Sequence, residues 1–198
     1  MITRASSPQV PAMGPLLTAL PDAEDAARRA CFRELFEGEF SYVWLSLRRL
    51  GVQDRDLEDV AQEVFVRVYR RLDAYDPSLP IRPWLFAFAV RCASDWKRLA
   101  RNRLEVLGTP TSDAASLDPR ADDQLAREQD LGLLLRAIEH MDMGRRAVVI
   151  LYELDQVPMK EVAASLGIPL PTAYSRLRVA REELTVALER LQAKGGVR

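Results

Sequence analysis

A chain of 198 residues, with 28 Lys and Arg against 29 Asp and Glu and a net charge of −1, can hold one ordinary domain or two small ones, and has no overall electrostatic pull toward nucleic acid. Two Cys and one His exclude a disulfide framework and a zinc site of the usual spacing, so no metal or cofactor is expected. With 48% apolar but only 7% aromatic residues, the composition favours an all-α protein over a sandwich or barrel, and no apolar run reaches the roughly 20 residues that insert across a membrane.

Residues 1–27, interrupted by Pro8, Pro11, Pro15 and Pro21, read as a disordered or weakly ordered tail without a secretory signal, so a cytoplasmic location is expected. The first predicted helix carries Phe32, Leu35, Phe36, Phe40, Val43, Trp44, Leu47 and Leu50 at three- and four-residue spacing and stops at Gly51. The second, Asp56 to Leu72, puts Leu57, Val60, Ala61, Val64, Phe65, Val68 and Leu72 on one stripe. Asp59, Gln62, Glu63 and Val66 fall on the opposite side. An outward valine among polar groups suits a protein-docking surface better than a merely solvated face.

A loop rich in proline, Tyr75–Pro83, precedes a third helix from Trp84, with Leu85, Ala89, Cys92, Trp96 and Leu99 expected inward. Ala87, Arg91, Ser94, Asp95, Arg98 and Arg101 are expected outward. Between Arg91 and Arg103 stand five basic residues and a single acid, Asp95. Single-stranded DNA needs such a cationic track, with ring systems nearby for stacking.

Periodicity collapses after Leu104, where Glu105, Asp113, Asp118, Asp122 and Asp123 face Arg120 alone, and it returns near Leu125. The expected architecture is two small helical domains, 28–103 and 128–193, joined by a flexible acidic linker at 104–127 and ending in a short tail at 194–198. In the second domain Pro158 can start a short helix with Val162, Ala163 and Leu166 inward. Gly167 supplies a turn, Ile168 plugs the angle, and Pro169 and Pro171 preset a longer helix that buries Ala173, Leu177, Ala180, Leu184, Leu188 and Leu191. Thr172, Ser175, Arg178 and Val179 fall on its outer face, with Arg176 and Arg181 on the flanks. This is helix-turn-helix geometry for entering a major groove. Glu182 and Glu183 thin the basic face, so the module alone should bind weakly.

The segment DLEDVAQEVF in the second helix resembles the polymerase-docking motif of bacterial RNA polymerase sigma factors, specifically the extracytoplasmic-function (ECF) subfamily of the sigma-70 family. RPWL (Arg82–Leu85) looks like that family's RAWL, Tyr75–Pro77 resembles the start of its promoter-melting loop, and IPLPTAYSRLRVARE is similar to its second-domain recognition helix. Together the matches cover roughly 32–103 and 128–191.

The resemblance implies a non-enzymatic factor that binds core RNA polymerase, through the β′ clamp helices and the β subunit, and directs it to promoter DNA. It matches Asp59, Gln62, Glu63 and Phe65 to the segment that grips the polymerase; the wheel turns Phe65 inward to support the core and adds the outward Val66 to the expected contact. It places Tyr75, Asp76, Trp84, Arg91, Ser94, Arg98 and Arg101 at the melted, single-stranded −10 element. Thr172, Tyr174, Ser175, Arg176, Arg178 and Arg181 fall at the duplex −35 element. The linker matches the segment threaded toward the RNA-exit path. An anti-sigma factor is a further implied partner. Pro171 to Tyr174, Val179 and the pair Val90–Arg91 depart from the usual pattern, which bears on promoter sequence rather than on class.

A free-standing helix-turn-helix regulator would explain the second domain equally well. It leaves the Asp59, Gln62 and Glu63 face and the cationic third helix unexplained. Catalysis has little behind it: His140 has no nucleophile pattern, Cys31 and Cys92 both fall in apolar helical surroundings typical of buried inert thiols, and there is no glycine-rich phosphate loop.

Overall fold

A computed structural model describes residues 26–107, 134, 136–138 and 140–195, with backbone alone at 27, 103–107 and 191–195; the N-terminal tail and most of the acidic linker lie outside the described residues. All regular structure among the described residues is helical: α1 (Ala26–Leu50), α2 (Leu57–Arg70), α3 (Ile81–Leu107), α4 (Met143–Val149), α5 (Met159–Leu166) and α6 (Leu170–Gly195). The first three pack on one another, and α4 and α5 pack on α6.

The predicted stripe of α1 is the centre of the first unit. Phe36, Phe40, Val43 and Leu47 are fully buried, and Phe65 of α2 is inserted among them, its ring 4.6 Å from that of Phe36 in a T-shaped arrangement. Gly51, at φ +92°, reverses the chain and lets the Val52 N–H reach back to the Leu47 carbonyl at 3.1 Å. A 3₁₀ turn, Asp54–Asp56, leads into α2, and a second one, Leu72–Ala74, ends it before Leu72 can continue the helix.

Helix α3 starts at Ile81, three residues earlier than the sequence suggests, so the loop closes at Pro80. Pro83 falls in the first turn, where its missing N–H removes no helical hydrogen bond. The helix runs to Leu107, so the first four residues of the expected linker are helical. Two expectations for its faces fail. Leu99, expected inward, is 56% exposed, and Ala87, expected outward, is buried. The reason is tertiary: near Ala87 the helix is covered on a further side by α5, whereas beyond Ala93 none of its described side chains is buried.

In the C-terminal unit, Asp142 caps α4 by accepting the Gly144 N–H at 2.9 Å. The helix then widens into a π-helical turn, Ile150–Leu154, with Ala147 to Leu151 all buried. Pro158 precedes α5, Gly167 at φ +64° closes it, and α6 buries Ala173, Leu177 and Ala180, while Leu184 and Leu188 are half-buried.

The two units are not merely tethered. Their apolar cores form one continuous cluster. Arg146, 4% exposed, donates to the Leu50 carbonyl at 3.1 Å. Asp155 accepts the Tyr42 hydroxyl at 2.8 Å on one oxygen and Arg49 at 3.0 Å on the other. The Asp155 carboxylate and burial together hold the Tyr42 phenol protonated far above its ordinary range, with burial the larger cause, so it stays a donor.

Candidate nucleic-acid interface

The four residues expected at a docking face lie together on α2, with Asp59 and Glu63 exposed and Gln62 and Val66 half-buried. Glu63 is tied into a chain of charges that leaves this face for α3. Arg67 Nε donates to Glu63 at 2.9 Å, both Arg67 terminal nitrogens reach Asp95 Oδ2 at 3.0 Å, and Arg98 meets the other Asp95 oxygen at 3.2 Å. The hydrogen bond to Glu63 is the main reason the Arg67 guanidinium is held even more firmly protonated than usual.

Where the loop meets α3, a cavity of about 670 Å³ opens. Along one wall the rings of Tyr75, Trp84 and Phe88 follow each other at 5.0 and 4.9 Å, and the Arg91 guanidinium lies over Phe88 at 5.7 Å. Arg67, Arg70 and Arg71 add positive charge, and Glu161, Ala164 and Ser165 of α5 close the far side. The loop is internally braced: the Ser78 N–H donates to Asp76 Oδ1 at 2.9 Å, and the Tyr75 hydroxyl donates to the Leu79 carbonyl. The Ser78 hydrogen bonds, the backbone one first, lower the Asp76 carboxyl below its ordinary value, and burial followed by the Asp76 charge raises the Tyr75 phenol.

Of the residues assigned to the −10 element, the cavity gathers Tyr75, Asp76, Trp84 and Arg91. Arg98 and Arg101 are exposed further along α3, and Ser94 donates its hydroxyl to the Val90 carbonyl at 2.7 Å. Phe88 and the three arginines at the end of α2, Arg67, Arg70 and the following Arg71, were missed. Phe88 was legible, since it stands four residues after Trp84 and three before Arg91 on one helical face. The arginines reach the cavity only because α2 ends beside α3.

On α6, Tyr174, Ser175, Arg178 and Arg181 are exposed, Thr172 and Arg176 half-buried, and Val179, expected outward, is half-buried too. Two of the arginines are paired with carboxylates, and the third lies against a glycine. Arg178 pairs with Glu182 at 2.6 Å, Arg181 with Glu153 at 2.7 Å, and the Arg176 guanidinium lies against Gly144. Cys92 is buried, its thiol raised by burial to about 11, but Cys31 is exposed, contrary to expectation, because α1 turns that position away from the core. No cluster that could hold a metal occurs among the described residues, nor any helix long and apolar enough to cross a membrane.

These features define a helical DNA-binding protein with a helix-turn-helix and a cationic, ring-lined cavity. Residues 40–103 match the family model for sigma-70 region 2, and residues 131–184 match that for sigma-70 region 4. The chain is 30% identical over 177 residues to the ECF RNA polymerase sigma factor SigE of Mycolicibacterium smegmatis, covering 88% of this chain and 68% of SigE. It is 28% identical over 149 residues to the RNA polymerase sigma factor CnrH of Cupriavidus metallidurans, covering 72% of this chain and 78% of CnrH. Among solved structures, the sigma factor RpoE in complex with the anti-sigma factor NepR from Bartonella quintana superposes with a TM-score of 0.67 at 18% identity, covering 80% of this chain and 96% of that one. CnrH in complex with the cytosolic domain of CnrY gives 0.58 at 24% identity, covering 82% and 90%. The chain belongs to the sigma-70 family, in its ECF group, whose members are transcription initiation factors rather than enzymes.

Proposed function

We propose that this protein binds core RNA polymerase, carries it to promoters by reading −10 and −35 elements, and helps open the −10 duplex, working in the cytoplasm. The observation that carries this reading is the cavity at the start of α3. The half-buried rings of Tyr75 and Trp84, backed by the buried Phe88, supply stacking surfaces, and four arginines supply a cationic rim for a single strand. Extracting a base costs a few kcal/mol, and a loop already braced through Asp76 and Tyr75 need not be ordered on binding. The unit at 28–103 is then the polymerase and −10 module, 104–127 the linker and 128–193 the −35 module. Asp59, Gln62, Glu63 and Val66 form the polymerase contact, while Thr172, Tyr174, Ser175, Arg176, Arg178 and Arg181 face the −35 duplex. An anti-sigma factor fits the same scheme, since the solved relatives CnrH and RpoE are each held by a partner of that kind or by a cytosolic domain.

Run-off transcription with purified core enzyme on a promoter library tests the proposal. Transcripts should depend on this protein and share two upstream elements. Replacing Asp59 and Gln62 together by Ala should weaken polymerase binding by on the order of 2 kcal/mol or more, while the helix-turn-helix still contacts DNA. Absence of any stable complex with core polymerase would leave a free-standing DNA-binding regulator as the better account.

A further inference from the structure

The wall that α5 lends to the cavity carries a chemistry of its own. Glu161 and Ser165 stand one turn apart on α5, so their side chains share a face, and both line the cavity half-buried. The Glu161 carboxylate makes no hydrogen bond or ion pair among the described residues, although Arg67, Arg70, Arg71 and Arg91 line the same cavity. Carboxylate and guanidiniums therefore stand apart, with the open volume between them. Arg67 is committed to Glu63 and Asp95, and Arg91 lies over Phe88. Arg70 and Arg71 are exposed and pair with no carboxylate among the described residues. A volume of about 670 Å³ is of the size that small-molecule sites occupy.

These groups suit one kind of ligand. The half-buried rings of Tyr75 and Trp84 offer a face to a planar base. A carboxylate only accepts hydrogen bonds, so it selects a base edge that presents donors. Among the common bases guanine alone sets two of them side by side, N1–H and the N2 amino group. The Ser165 hydroxyl can donate to the O6 beside them. Unpaired guanidiniums across the cavity match the oxygens of a phosphate chain.

We propose that this cavity binds a free guanosine di- or triphosphate, with Glu161 and Ser165 on the base edge, Tyr75 and Trp84 against its face, and Arg70 and Arg71 on the phosphates. The site goes beyond the −10 role of the cavity and does not depend on it. Because it takes the same rings and arginines, such a nucleotide competes with the single strand wherever the −10 role holds.

Calorimetric titration of the full chain with GDP, GTP, ATP and inorganic triphosphate tests this. GDP and GTP should bind one to one, and ATP about tenfold more weakly, because adenine leaves the carboxylate without its paired donors. Glu161→Gln, with helix content confirmed by circular dichroism, should weaken GDP to the level of ATP and leave ATP binding unchanged. Arg70→Ala combined with Arg71→Ala should weaken GDP and ATP alike, by about tenfold. The site is overturned by no saturable binding of GDP or GTP up to millimolar concentration, or by equal affinity for guanine and adenine nucleotides. Inorganic triphosphate binding as tightly as GTP, or a guanine preference that survives Glu161→Gln, overturns it too. Run-off transcription separates the site from the promoter role. Guanine binding with no transcripts removes that role and leaves the site; transcripts without guanine binding do the reverse.

Discussion

At the residue scale the two cysteines show how similar sequence contexts diverge. Both sit in helices among apolar neighbours, yet Cys92 is buried between α2 and α3 and Cys31 faces solvent. A thiol reagent should therefore modify Cys31 in the native protein and Cys92 only after denaturation; rapid reaction at two sites in the folded chain would contradict the structure. The Cys92 shift also has a pH consequence. Its thiol rises from an ordinary value near 9 to about 11 in the folded chain, so the unfolded chain loses that proton first. Its contribution to stability is complete below pH 9 and is lost as pH climbs toward 11. Urea midpoints should fall over that range, and less steeply in Cys92→Ala.

At the scale of single elements, α6 was the most legible piece. Three- and four-residue spacing located Ala173, Leu177 and Ala180, all of which are buried, and put Ser175 and Arg178 outward, where they are exposed, although Thr172 and Val179, put outward with them, are half-buried. The spacing could not reveal that Arg178 is engaged, 2.6 Å from Glu182 one turn on. An exposed helical pair of this sort contributes about 0.3–0.5 kcal/mol, too little to keep the guanidinium from a better partner. Arg178→Ala should thus cost about 1–3 kcal/mol at one −35 base pair if the contact is bidentate to guanine. Binding isotherms on duplexes varied at each position check this, and equal weakening on every sequence would mark a phosphate contact instead. Helix α3 was less legible. A wheel assumes one buried face, but α3 meets neighbours on more than one side near Ala87 and none that buries it after Ala93, so Ala87 and Leu99 exchanged the places expected of them.

At the scale of the whole molecule, the two halves share a core rather than hanging on a tether. One polar link between them, besides those made by Asp155, is Arg146, which reaches from α4 to the Leu50 carbonyl beside Gly51. Arg146→Met should leave that carbonyl without its partner and cost about 1–3 kcal/mol. Calorimetry should show one cooperative transition for the natural protein, and a lowered or divided one for the variant. Two well-separated transitions in the natural protein would mean that the shared core contributes little to cooperativity.

Composition and periodicity by themselves determined an all-helical chain, the apolar stripes of α1, α2 and α6, the turn at Gly167 and, through DLEDVAQEVF and its companions, the family. These are local properties, because a stripe or a motif is written within a dozen consecutive residues. Tertiary structure alone decided that Arg67, Arg70 and Arg71 share a cavity with Trp84, that Asp155 joins Tyr42 and Arg49 across more than a hundred residues of chain, and that α5 stands over the ring-lined wall. The physical reason is that pairing charges and closing cavities depend on which surfaces the shared core brings together, and no spacing along the chain encodes that choice.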